Sequence, residues 1–155
     1  MPAISYAILR RADEVLLQLR SGTGYMDGFW STAAAGHVEP GEAAVAAAVR
    51  EAREELGIRI AADQLQPLCT VHRYLQAGSG AQSPVDFFFL ARQWDGTPRL
   101  MEPEKACELR WFPLDALPQN LVAQEHLVLS RLDSGLPPII CMGSGTALDR
   151  PRHRG

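Results

Sequence analysis

The sequence has 155 residues, 46% hydrophobic and 21% charged, which fits one globular domain and excludes a disordered or fibrous chain. Its formal charge of −3 excludes a general electrostatic grip on a nucleic acid polymer or an anionic membrane, so any anionic ligand needs a local set of cations. Cys69, Cys107 and Cys141 are widely spaced and form no C-x-x-C pair, which fits a reducing, cytoplasmic setting and indicates neither a disulfide framework nor a zinc site.

Residues 4–9 form an apolar run ended by Arg10-Arg11-Ala12-Asp13, and residues 15–19 form a second, so the two predict an antiparallel hairpin. Residues 21–28 contain Gly22, Gly24 and Gly28 and predict a surface loop, followed by a short strand from about Phe29 towards Gly36. The clearest helix spans residues 42–56, with Val45, Ala48, Val49, Ala52 and Leu56 on one apolar face. Pro40 lies just before its first turn and Gly57 just past its last, the positions where each residue marks a helix end. Strands are predicted at 66–75, 85–94 and 108–112, with helical patterns at 114–117 and 121–132. The tail from about Met142 reads as mobile, and the first ten residues are too short and polar for a signal peptide. Strands and helices mixed around one core predict an α/β layered sandwich.

Glu51, Glu54 and Glu55 stand at i, i+3 and i+4, so a helix projects them from one side, away from the apolar stripe. Ala44 and Ala47 lie on the same side in the preceding turns, where small side chains leave room for an approaching group. Clustered carboxylates repel, and a hard divalent cation relieves that repulsion. Mg²⁺ takes a few carboxylate oxygens and completes its shell with water and phosphate. Backbone carbonyls in the loop at Gly36 offer a further oxygen, and Arg50 is placed to pair with Glu54 or reach back to Glu42.

The segment from Gly36 through Glu42, Arg50, Glu51, Glu54, Glu55, Gly57 and Ile58 has the pattern G-x5-E-x7-R-E-U-x-E-E-x-G-U, with U a bulky aliphatic and Ala52 a small occupant of the first U. It resembles the Nudix box of the Nudix (MutT-like) hydrolases, and chance would produce such a match on the order of once in a million chains. The resemblance implies a Nudix-type α/β/α sandwich around a mixed sheet, with a hydrolase domain over residues 1–135 and an extension over 136–155. It also implies a Mg²⁺-dependent (or Mn²⁺-dependent) pyrophosphohydrolase acting on a nucleoside diphosphate linked to a group X. By position, Glu51, Glu54 and Glu55 become metal ligands assisted by the Gly36 carbonyl. Glu42 and Arg50 orient them, Gly57 closes the helix, and Glu51 or Glu54 is a candidate base. Arg20, at the end of L-L-Q-L-R, matches a phosphate-binding position of MutT-like enzymes. Glu102-Pro103-Glu104-Lys105, with Trp111 beyond, resembles a segment of nucleoside triphosphate diphosphatases and makes Glu102 and Glu104 substrate-side candidates. Many relatives pair as homodimers.

A triphosphate cleaved to monophosphate and pyrophosphate is the first reading, and ADP-ribose or a nucleotide sugar the alternative. The stretch from Trp30 to Val38 is also similar to the entry loop of isopentenyl diphosphate isomerases, but no cysteine stands near it. A non-catalytic nucleotide sensor would usually have lost a box carboxylate, and all are present here. Outside the box, His37, His72, Arg73 and Asp86 read as surface or structural residues, and Trp30, Trp111 and Phe87-Phe88-Phe89 as packing.

Overall fold

The structure, a computed structural model, describes residues 2–143. Its first strand, β1 (Ala3–Arg11), is apolar on both faces: Tyr6 and Ile8 are buried on one side, Ala7 and Leu9 on the other. A strand buried twice over must lie inside a layered fold. The chain leaves β1 through a two-residue turn in which Ala12 has φ 51°, the left-handed conformation that tight hairpins favour. It returns as β2 (Glu14–Arg20), paired to β1 at Arg10↔Val15 and Arg11↔Glu14.

Beyond that turn the two strands take different neighbours. β2 runs antiparallel to both β3 (Trp30–Thr32) and β7 (Ala106–Pro113). β1 runs antiparallel to β4 (Ala34–His37) and parallel to β6 (Val85–Ala91). β6 then pairs antiparallel with β5 (Leu65–Tyr74), and β5 carries β8 (Ile139–Gly143) in parallel at the edge. On one face, α1 (Ala44–Leu56) sets Ala48, Ala52 and Leu56 against Ala7, Leu9 and Phe89. On the other, α2 (Ala123–Leu129) sets Leu127, Val128 and Leu129 against Ile8, Val71 and Phe88. The result is the α/β/α sandwich around a mixed sheet that the box implied.

Several boundaries differ from the sequence pattern. α1 begins at Ala44 because residues 39–42 are used in a turn: Glu42 N–H donates to Glu39 O at 3.0 Å and Gly41 takes φ 77°. Pro40 occupies the second position of that turn, where its fixed φ is favoured, and not the first of the helix. β6 stops at Ala91, since Asp95 exchanges backbone hydrogen bonds with Arg59. The helix predicted at 121–132 shortens to Ala123–Leu129, because Val122 N–H is drawn to Trp30 O at 3.0 Å, and the pattern at 114–117 is a 3₁₀ turn, Leu114–Ala116. The boundary at 135/136 does not end the sheet: β8 lies beyond it and buries Ile140 and Met142. Met142 therefore belongs to the core, and the mobility expected of residues 144–155 falls outside the described residues. Among the described residues, no helix is long and apolar enough to cross a membrane.

Candidate active site

Small residues bring α1 close to the sheet. Ala47, Ala48 and Ala52 are fully buried, and Ser5 Oγ on β1 donates to Ala44 O at 2.7 Å, pinning the first turn. The room expected beside Ala44 and Ala47 is therefore filled by the sheet itself. Gly36, on β4, is required by contact and not by backbone angle: a Cβ there would collide with the Glu51 carboxylate. This close approach lets Glu55 Oε2 accept the Ala35 N–H at 2.8 Å.

Docking divides the three carboxylates that helical spacing had grouped on one outward side. Glu54 is 49% exposed, whereas the Glu51 side chain is 12% exposed and Glu55 is sunk between α1 and β4. Burial is the leading cause that raises Glu51 above the ordinary carboxylate range, opposed by Arg50 and reinforced by the charges of Glu54 and Glu102. Glu55 is pushed up to about 8, first by burial and then by the charges of Glu51 and Glu102, with the Ala35 N–H pulling the other way.

Arg50 joins the box together. Its Nε and Nη2 grip Glu42 at 2.8 and 3.0 Å, and Nη2 also donates to His37 O at 3.0 Å. Its Nη1 donates to Glu51 Oε1 at 2.7 Å and Glu54 Oε2 at 3.1 Å. The sequence offered Glu42 or Glu54 as partner; the structure gives Arg50 both, and Glu51 as well. These bonds raise Arg50 above its ordinary value and hold Glu42 below the usual carboxylate range. Gly57 closes the helix at φ 67°, its N–H bonded to Arg53 O.

Glu51, Glu55, Arg50 and Gly36 form one end of a cleft of about 720 Å³. Arg20 and Glu104 lie on its wall, together with Lys105, which the sequence reading did not select. Arg20 is engaged within its own loop, donating from Nε to Tyr25 O at 2.9 Å and from Nη2 to Thr23 Oγ1 at 3.1 Å. Glu102 pairs with Lys105 Nζ at 2.7 Å and reaches the site through its charge on Glu51 and Glu55.

The far end of the cleft is polar and was missed from sequence. Tyr6, Gln18, Ser31, Thr32, Gln124 and Glu125 line it. Glu125 is buried, accepts the Thr32 N–H, and is pushed up to about 7, mainly by burial. Among the described residues the buried Ser31 hydroxyl has no partner, and the Thr32 side chain faces Glu125. The available signal was the pair Gln124-Glu125 inside an otherwise apolar helical stretch.

The donors at the box end are hard oxygens, partly desolvated and mutually repelling, which suits Mg²⁺ or a similar cation. Among the described residues, no three acidic, His or Cys side chains already converge to enclose a metal ion. Arg50 Nη1 stands between Glu51 and Glu54 instead.

Residues 1–132 match the family model of the NUDIX domain. The chain belongs to the Nudix family. Its relatives include the isopentenyl-diphosphate Delta-isomerase of Jannaschia sp. (strain CCS1), 32% identical over 122 residues that cover 78% of this chain and 68% of the relative. The human (Homo sapiens) 8-oxo-dGDP phosphatase NUDT18 is 33% identical, across 80% of this chain and 36% of that protein. Among solved structures, the MutT NUDIX hydrolase from Burkholderia pseudomallei superposes with a TM-score of 0.74 at 31% identity, covering 84% of this chain and 97% of that one. This Nudix chain is thus an enzyme of the hydrolase type in family and fold, with box and cleft joined as described above.

Proposed function

We propose that this chain cleaves a nucleoside triphosphate to a nucleoside monophosphate and pyrophosphate. The observation that carries the reading is the placing of Glu51 and Glu55, both drawn out of water, at one end of the cleft beside Arg50, whose guanidinium also bonds the half-exposed Glu54. Glu51, Glu54 and Glu55, with the Gly36 carbonyl, would hold Mg²⁺, for which Mn²⁺ can substitute. When bound, that cation supplies charge neutralisation on the phosphates and a more acidic water. Arg50, locked by Glu42 and the His37 carbonyl, fixes the direction of Glu51 and Glu54. Arg20 and Lys105 meet phosphate oxygens from the cleft wall. Glu54, the most solvated of the three, takes the proton of the attacking water while its oxygen bonds to phosphorus. The bridging P–O bond breaks and its electron pair leaves on pyrophosphate. Glu104 on the opposite wall is the alternative acceptor. A cytoplasmic setting, where the three thiols stay reduced, accords with this reading.

A panel of nucleoside triphosphates, ADP-ribose and nucleotide sugars, assayed with Mg²⁺ for released products, tests it. Glu54→Gln is expected to lower kcat by roughly 10²–10⁴-fold with little change in melting temperature, because the side chain is half exposed. Turnover that survives a chelator sinks the metal assignment. Silence on every triphosphate, with turnover of ADP-ribose or a nucleotide sugar, moves the substrate to the alternative.

Isopentenyl diphosphate isomerisation is a second reading, favoured by the names of relatives at 32% and 31% identity. Two features oppose it. The entry loop reads Ala33-Ala34-Ala35 with no thiol, while Cys69 is buried in the core and Cys107 and Cys141 lie exposed on β7 and β8. The far end of the cleft is lined by Gln18, Ser31, Gln124 and Glu125, which suit a hydrogen-bonding group better than a five-carbon chain. Incubation with isopentenyl diphosphate separates the two readings directly.

A further inference from the structure

The cleft does not stop at its polar end. Through Tyr25, Val122 and Gln124 it shares walls with a second cavity of about 300 Å³. The other walls of this annex are largely apolar, with Met26, Leu75, Pro84 and Met142 beside the Tyr74 ring. Among the described residues, one charged side chain faces it: Arg73.

Arg73 is held in a fixed orientation. From β5 its Nε donates to Asp86 Oδ2 at 2.6 Å and its Nη2 to Asp86 Oδ1 at 2.9 Å. Asp86, fully buried on β6, also accepts the Tyr6 hydroxyl at 3.2 Å. The guanidinium plane is therefore locked and its charge is matched by a neighbouring carboxylate. Its Nη1 makes no hydrogen bond among the described residues. A guanidinium already paired in this way is a poor phosphate site, because a second anion would sit beside Asp86. It remains a donor with a set direction. The group that fits is a flat, uncharged ring whose faces can lie against Met and Tyr side chains and whose edge carries acceptors.

We infer that the annex holds the base of the nucleotide whose phosphates occupy the cleft, and that Arg73 selects a base with adjacent acceptors on its edge. Guanine offers O6 and N7 to an arginine, whereas adenine places an amino donor where the second acceptor should be. The inference rests on the nucleotide reading given above, and the apolar walls explain why the annex takes the ring and leaves the charged end outside.

Calorimetric titration with GMP and AMP, beside steady-state hydrolysis of GTP, ATP and ribose 5-triphosphate, tests it. The wild-type protein should bind GMP at least about ten-fold more tightly than AMP, and should show a correspondingly lower KM for GTP than for ATP or the base-free triphosphate. Arg73→Lys keeps a cation opposite Asp86 but loses the fixed fork, and should largely abolish the GMP preference through KM with less change in kcat. Ala123→Leu narrows the annex without altering a polar group and should weaken GMP binding; it carries the test if Arg73→Lys does not fold. Equal binding of GMP and AMP by wild type, an unchanged preference in Arg73→Lys, or undiminished GMP affinity in Ala123→Leu overturns the inference. Rapid triphosphate hydrolysis that ignores the base would overturn it while leaving the hydrolase reading intact. An Arg73-dependent GMP preference without hydrolysis would do the reverse.

Discussion

A missing methyl group decides whether Glu51 can sit where it does. Gly36 is not in the left-handed region, so Gly36→Ala tests contact alone. The added Cβ must displace the Glu51 carboxylate, and through it the Arg50 bond. Overpacking of this kind costs about 1–3 kcal/mol, read by urea denaturation, and kcat should fall far more than that loss of stability alone accounts for. Glu125 gives a pH-dependent counterpart away from the box. Burial raises it from 4.5 in the unfolded chain to about 7 in the folded one. Between those values the folded state keeps a proton that the unfolded state has released. The stability linked to that proton is fully present below 4.5 and is lost as pH rises through about 7. Glu125→Gln, which cannot titrate, should therefore gain melting temperature relative to wild type at pH 8 compared with pH 5. A constant difference between the two proteins across that range would show that Glu125 does not hold the proton.

At the scale of elements, α1 is where sequence reading succeeded most and where its failure is most instructive. The residue types and spacing of the box specify a helix, its αL cap at Gly57 and a carboxylate-bearing side. They do not specify how deeply that side is pressed against β4, because depth depends on Ser5, Ala35 and Gly36, which reach the helix through strand pairing. Three glutamates alike in sequence thus meet three different surroundings. The same interface predicts the effect of a larger side chain. Ala52→Leu places added volume at a fully buried position between α1 and the sheet, and should destabilise by about 1–3 kcal/mol while shifting Glu51 and Glu55. A melting curve paired with kcat measures both. If kcat is retained while stability falls, the carboxylates do not depend on helix seating. The polar far end of the cleft was hidden for a related reason: its residues come from β1, β2, β3 and α2, and only tertiary structure makes neighbours of Tyr6, Thr32 and Glu125.

For the whole molecule, local pattern was enough for the layered class and not for the sheet order. Short apolar runs mark β1, β2, β5 and β6. Nothing local reveals that β1 and β2 part after their turn or that β8 returns to the far edge. The run from Ile139 to Met142 is short and flanked by proline and glycine, so it carries little signal until β5 is there to pair with it. Its contribution can be measured. Ile140→Ala removes a buried side chain that packs with Val71 and Phe88, and is expected to cost about 2–4 kcal/mol in chemical denaturation. A cost near zero would make β8 an ornament and not a part of the core.

The parting of β1 and β2 also bears on how the walls of the cleft are held. The two strands pair beside their turn, with β4 and α1 attached to one and β3 and β7 to the other, and the single residue Ala33 joins β3 to β4. Glu51, Glu54 and Glu55 therefore ride on the β1 side, and Arg20 and Lys105 on the β2 side. With Ala12 and Ala33 both tying the two sides together, their spacing is set at two places, and the charged walls of the cleft are held at a fixed separation.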